Sequence, residues 1–166
     1  MLAREGDRPQ LREPTSLSEA LEAARARWEA RAAQSEHRLE LEAGPEVAVR
    51  AAEEDVAIML DNLLENSLVY SPSGTLVTLR WDGGGRFAAA DEGPGVRPGE
   101  ERFVFERFQR GQSEQPGTGL GLAIVETLAR RWGGTATISN RPGRGAVAEV
   151  VLPVDSPVRT LAGAPS

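Results

Sequence analysis

The chain has 166 residues, 40% of them hydrophobic, and a net charge of −6. That is enough for one domain with a sizeable core and too acidic for wholesale nucleic-acid binding through a basic surface. All 19 basic residues are arginine, cysteine is absent and His37 is the single histidine, which excludes a Walker-type phosphate loop, a lysine nucleophile, disulfides, thiolate metal sites and two-histidine metal sites.

Residues 1–14 are polar, carry Pro9 and Pro14, and read as a linker. Ser16 followed three residues later by Glu19 fits a capping box. Leu17, Leu21, Ala24 and Trp28 then recur at helical spacing, so a helix is expected to about Ala33. His37 to Leu41 alternates polar and apolar residues like a half-buried strand, and Gly44-Pro45 is a turn. A second helix is expected over Glu53–Tyr70, with Val56, Met59, Leu60, Leu63, Leu64 and Leu68 on its apolar face and Pro72 and Gly74 ending it. Thr75–Trp81 and Arg86–Ala90 read as strands joined at Asp82-Gly83-Gly84-Gly85. Residues 91–118 are rich in glycine and proline and interrupted by the apolar segment Phe103–Phe108; a loop region of this length inside a compact domain is usually functional. Leu120–Trp132 is a third helix, stopped at Gly133-Gly134. Thr135–Asn140 and Ala146–Leu152 form a hairpin around Arg141-Pro142-Gly143-Arg144-Gly145. The domain is expected over 15–153 and a disordered tail over 154–166. Helices and strands intermix without strict alternation, which favours an α+β sandwich over a doubly wound sheet. No apolar run approaches the ~18 residues that cross a bilayer and no signal peptide is visible, features that suit a cytoplasmic domain.

Three places carry chemistry. Asn62 and Asn66, four apart in Asp61-Asn62-Leu63-Leu64-Glu65-Asn66, share a helix face away from the leucines. An amide offers a neutral oxygen to a cation and an N–H to an anion, so such a face can hold a magnesium ion beside a phosphate, although a solvated helix face looks the same. Asp91-Glu92-Gly93-Pro94-Gly95 follows a strand directly; a carboxylate there accepts from an exocyclic amino group such as adenine's, and glycines admit a flat ligand closely, whereas an ordinary Asp-rich turn is the plainer alternative. Gly117-Thr118-Gly119-Leu120-Gly121-Leu122-Ala123-Ile124 is a glycine-rich entry into a helix, where free backbone N–H groups bind phosphate. It departs from the dinucleotide fingerprint, which needs a glycine where Leu122 or Ile124 stands.

In this order the three sites resemble the ATP-binding domains of sensor histidine kinases, within the superfamily that includes gyrase, the Hsp90 chaperones and MutL. Asn62-Leu63-Leu64-Glu65-Asn66-Ser67-Leu68-Val69-Tyr70-Ser71-Pro72 is similar to the asparagine box, and Asp91-Glu92-Gly93-Pro94-Gly95-Val96 to the first glycine box. Phe103-Val104-Phe105-Glu106-Arg107-Phe108-Gln109-Arg110 is similar to the phenylalanine box, and Gly117 to Val125 to the second glycine box. The resemblance implies a two-layer α/β sandwich of the Bergerat type, a mixed sheet on about three helices, with ATP between the asparagine helix and the glycine loops. It implies Asn66 as magnesium ligand, Asn62 beside the phosphates, Tyr70 along the adenine pocket and Asp91 on the adenine amino group. Gly93 and Gly95 would shape that pocket, and Gly117, Thr118, Gly119, Leu120 and Gly121 would border the phosphates. Arg110 would approach the terminal phosphate at the edge of a lid over Gln109–Pro116. Val69 stands where the family often has lysine, and Ser67 where alanine is usual, a change expected to be harmless.

Hydrolysing relatives are expected to carry a glutamate general base where this chain has Asn62, and asparagine cannot take a proton. The resemblance therefore implies ATP held for transfer to a histidine on a separate dimerisation hairpin, and then to a response regulator, with no nucleic-acid or membrane contact by this domain. A motif like His-Glu-x-Arg-Thr-Pro-Leu is absent from the chain; Met1–Glu5 would be the last turn of that hairpin, and the intact protein could be membrane-anchored. His37, in a predicted half-exposed strand, reads as an ordinary histidine, so the isolated chain is expected not to phosphorylate itself. Two rival readings are an anti-sigma-factor-type serine kinase of the same superfamily and a degenerate nucleotide-binding module without turnover.

Overall fold

In a computed structural model that describes residues 13–95 and 121–155, Thr15–Ser16 (β1) leads straight into the first helix, Leu17–Gln34 (α1). Ser16 caps it: its hydroxyl accepts from the Glu19 N–H at 3.3 Å, as the capping-box spacing predicts. Arg38–Glu42 (β2) follows, then Ala48–Val49 (β3), Glu53–Tyr70 (α2), Leu76–Trp81 (β4) and Arg86–Ala90 (β5). Gly121–Arg131 (α3), Thr135–Asn140 (β6) and Ala146–Val151 (β7) complete the described chain. Five strands form one sheet in the order β2-β4-β5-β7-β6, with β2 parallel to β4 and the other pairs antiparallel.

The register follows from which side chains must leave water. Leu41, Leu79, Ala89, Ala148 and Ile138 line up across all five strands, and Trp81, Phe87, Val150 and Ala136 form the next row. Both rows join the main core, and a slip of one residue would turn either of them to the other face. The three helices cover this face: α1 lies against β2 and β4, α2 against β5, and α3 against β6 and β7. The mixed sheet under three helices is the two-layer α/β sandwich expected from the sequence.

Helix α2 occupies the centre and has the predicted bounds. Val56, Met59, Leu60, Leu63, Leu64 and Leu68 are all buried. Polar groups tie it at its start and its middle: Asp55 accepts from Trp132 Nε1 at 2.8 Å and from Arg131 at 3.3 Å, and Asp61 accepts from Trp28 Nε1 and Arg27, each at 2.7 Å. Gly133, at φ +84°, ends α3 with its N–H on Arg130 O, the left-handed stop that the glycine pair predicts.

Two features differ from the sequence expectation. The small antiparallel pair β1–β3 was not foreseen. Val154 bridges Val49, and Asp155 N–H donates to Ala48 O at 2.9 Å, so these two residues of the expected tail are tied to the fold; 156–166 lie outside the described residues. Among the described residues no helix is long and apolar enough to cross a membrane.

Ser67 also departs from expectation. Its hydroxyl is buried without a hydrogen-bond partner among the described residues, whereas the substitution for alanine was expected to be harmless. A buried hydroxyl without a partner costs ~1–3 kcal/mol of desolvation. We therefore expect Ser67→Ala to raise unfolding free energy by about 1 kcal/mol, measured by urea denaturation; a loss of stability would show that the hydroxyl is satisfied in solution.

Candidate nucleotide site

Asn62, Asn66 and Tyr70 fall at i, i+4 and i+8 on α2 and make one stripe beside its leucine face. All three are half-buried. Asn62 Nδ2 donates to Ile58 O, one turn back, at 2.8 Å, which leaves Oδ1 as its outward group. That oxygen faces Gly121: a Cβ built on Gly121 would sit 3.0 Å from Asn62 Oδ1. Glycine at this position thus lets the start of α3, with its free N–H groups, come close to the amide stripe. Asn66 makes no side-chain hydrogen bond among the described residues, and its amide is open to a ligand.

Asp91 stands one residue past β5 and is 4% exposed. Its Oδ1 accepts from Gly93 N–H at 2.8 Å and from Ala146 N–H at 3.3 Å. Oδ2 accepts no hydrogen bond among the described residues, so the carboxylate is aimed but only half used. Burial raises its pKa above the usual carboxylate value of 3.8, against the lowering effect of the Gly93 and Ala146 N–H groups and of the charges on Arg141 and His37. Gly93 packs on the end of α2; a Cβ there would meet Tyr70 O at 2.5 Å. Gly95 has φ +85°, and its Cβ would meet Asn140 Oδ1 at 2.5 Å. Both glycines are thus required by close approach, and the Asp91 loop shares a wall with the Tyr70 end of the amide stripe.

The structure therefore brings Asn62 to Gly121, and Asp91 with Gly93 to Tyr70. Arg110, Gly117, Thr118, Gly119 and Leu120, the Phe103–Phe108 segment and the lid over Gln109–Pro116 lie outside the described residues. His37 corrects the sequence expectation. It precedes β2 instead of lying in it and is 7% exposed, not half-exposed. Ser35 Oγ lies 2.8 Å from its Nδ1, and Ser71 O and Oγ lie 3.1 and 3.0 Å from its Nε2. Two residues read from sequence only as parts of a turn reach the site: Arg141 Nη1 donates to Asp91 O at 2.7 Å and Arg144 Nε donates to Glu92 O at 2.8 Å. Their only sequence signal was a hairpin turn placed to come back beside residue 91.

A family model described as histidine kinase-, DNA gyrase B- and HSP90-like ATPase matches residues 51–156. The chain belongs to this ATPase family. The probable sensor histidine kinase TcrY of Mycobacterium tuberculosis strain H37Rv is 37% identical over 164 residues, which covers 93% of this chain and 34% of that protein. The solved structure of the mycobacterial sensor histidine kinase MprB superposes with a TM-score of 0.72 at 29% identity, covering 86% of this chain and 97% of that one. The ATP-binding domain of PrrB from M. tuberculosis gives a TM-score of 0.69 at 28% identity over 86% of this chain and 97% of its own. The chain spans between 11% and 34% of the length of the curated relatives it matches. The matched segment of this ATPase-family chain contains α2, the Asp91 loop, α3 and the β6–β7 hairpin, the elements that carry the site.

Proposed function

We propose that this domain is the catalytic domain of a sensor histidine kinase, which binds ATP with Mg2+ and donates the γ-phosphoryl group to a histidine on a dimerisation hairpin. The observation that carries the reading is Asp91: a buried carboxylate with Oδ1 fixed by two backbone N–H groups and Oδ2 left to accept from a base. Guanine presents a carbonyl oxygen where adenine has its amino group, so an acceptor there selects adenine.

The residues fit a magnesium ion of the kind that keeps phosphate and water in its shell. Among the described residues no group of three histidine, cysteine, aspartate or glutamate side chains converges, and Asn66 supplies one neutral oxygen, in keeping with a cation held by a single protein group and the substrate's phosphates. When bound, the ion would neutralise charge on the phosphate oxygens. Asn62 Oδ1 and the N-terminal N–H groups of α3 border the same space. The sequence reading gives Arg110 the charge at the terminal phosphate, an assignment proposed here from the motif alone. Asn62 has its N–H on Ile58 O and no proton-accepting nitrogen, so it activates no water, and phosphoryl transfer rests on positioning and charge. Phosphate passes onward to a response regulator, and the domain works in the cytoplasm.

Purified chain is expected to bind a fluorescent ATP analogue only with Mg2+, and labelled ATP is expected to leave no stable phosphate on His37, whose ring is buried between Ser35 and Ser71. Lack of affinity in the presence of Mg2+ would overturn the reading.

A further inference from the structure

The β6–β7 hairpin holds Asp91 at every polar atom but one. Its N–H donates to Ala146 O at 2.9 Å. Its Oδ1 accepts from Ala146 N–H and its carbonyl oxygen from Arg141 Nη1. The next carbonyl, Glu92 O, accepts from Arg144 Nε. Gly145 packs its Cα against the Asp91 carbonyl, and Asn140 meets Gly95 at the far end of the loop. Beyond the end of β5 these carbonyls have no strand partner, and backbone polar groups without partners are costly. Two guanidiniums from one turn satisfy consecutive carbonyls.

We infer that Arg141 and Arg144 are positioning residues of the nucleobase pocket, a two-point clamp from the β6–β7 turn that fixes the Asp91–Glu92 backbone and so aims Asp91 Oδ2 at the base. The inference rests on the nucleotide reading above. Planar guanidinium donors hold a carbonyl in a set direction, which a flexible ammonium does not. Arg141 also sets the charge beside the carboxylate. The groups that act on the Asp91 carboxylate by charge are Arg141 from the β6–β7 turn and His37 from the α1–β2 link, and both influences favour the ionised form against burial.

The test measures affinity for a fluorescent ADP analogue across pH, with thermal melts, for the wild-type chain, Arg141→Ala, Arg141→Lys and Arg144→Ala. Arg141→Ala is expected to weaken binding roughly tenfold at neutral pH, the scale of one lost charge-assisted bond. The acid limb of its affinity profile is expected to move to higher pH, because the carboxylate loses a neighbouring cation. Arg141→Lys is expected to restore the acid limb without restoring full affinity, and Arg144→Ala to weaken binding severalfold with the acid limb in place. If Arg141→Ala does not fold, Arg141→Lys decides: weakened binding supports the clamp and wild-type affinity overturns it. An Arg141→Ala variant with wild-type affinity and an unmoved acid limb overturns it too, whatever its melting temperature. Wild-type chain without affinity would overturn both the nucleotide reading and the clamp; wild-type binding with unaffected variants overturns the clamp alone.

Discussion

Asp91→Asn is expected to lower affinity for ATP about a hundredfold, the scale of a lost charged hydrogen bond plus a mismatched donor, while the nucleotide-free domain at pH 7 is expected to melt no lower than the wild type. The amide keeps an oxygen where Gly93 and Ala146 donate, so the fold around it survives. The other atom becomes an NH2 group, which would meet the adenine amino group of the proposed pocket donor to donor. Stability goes the other way because burial makes the charge costly, and the Asp91 pKa lies above its ordinary 3.8. For a carboxylate so shifted, the stabilising contribution is fully present below the unfolded pKa and is lost as pH rises through the folded value. At neutral pH the wild type has therefore lost it, and a neutral amide never incurs that loss. Calorimetric binding paired with melts from pH 3 to pH 8 checks both halves: the wild type should lose stability through that window relative to the variant. A variant that melts well below the wild type at neutral pH yet binds normally would contradict both.

Gly145→Ala is the second large effect, expected to destabilise by about 3 kcal/mol or more and to abolish most nucleotide affinity. Gly145 sits at φ +104°, a conformation that L side chains rarely adopt, and a Cβ there would run into the Asp91 carbonyl. The hairpin would have to part from the residue it orients. Gly143 provides the internal control: it too has positive φ, at +90°, but a Cβ would meet nothing within 4 Å. Gly143→Ala should therefore cost only the backbone term, about 1 kcal/mol. Guanidinium denaturation of the two variants separates the terms. Equal losses would show that crowding of Asp91 is not the source.

The large elements were legible because their signals are local. The apolar spacing from Val56 to Leu68, with Pro72 and Gly74 beyond it, defines α2 to the residue, and β5 and β6 likewise keep their expected bounds. The boxes that marked Asp91, Gly93 and Asn62 marked the residues that the fold draws together. What escaped was non-local or hidden by polarity. β1 and β3 have two residues each, too few to show any period. Parallel pairing of β2 with β4 depends on a crossover through β3 and α2, which no window of sequence reports. His37 and Ser67 are polar residues inside the protein, and an alternating pattern assigns such residues to the surface. Arg141 and Arg144 look like solvated charges on a turn until Asp91 is seen beneath them.

The ties at β3 have a consequence for how the fold bears load. Thr15 pairs with Val49 on one side and Val154 bridges the same residue on the other, so the two ends of the described chain meet at one corner. Force applied to that corner would load these short pairings first. Strain there would fall on β1 and the Val154 bridge and on no rung of the five-stranded sheet, so the Asp91 pocket would keep its geometry.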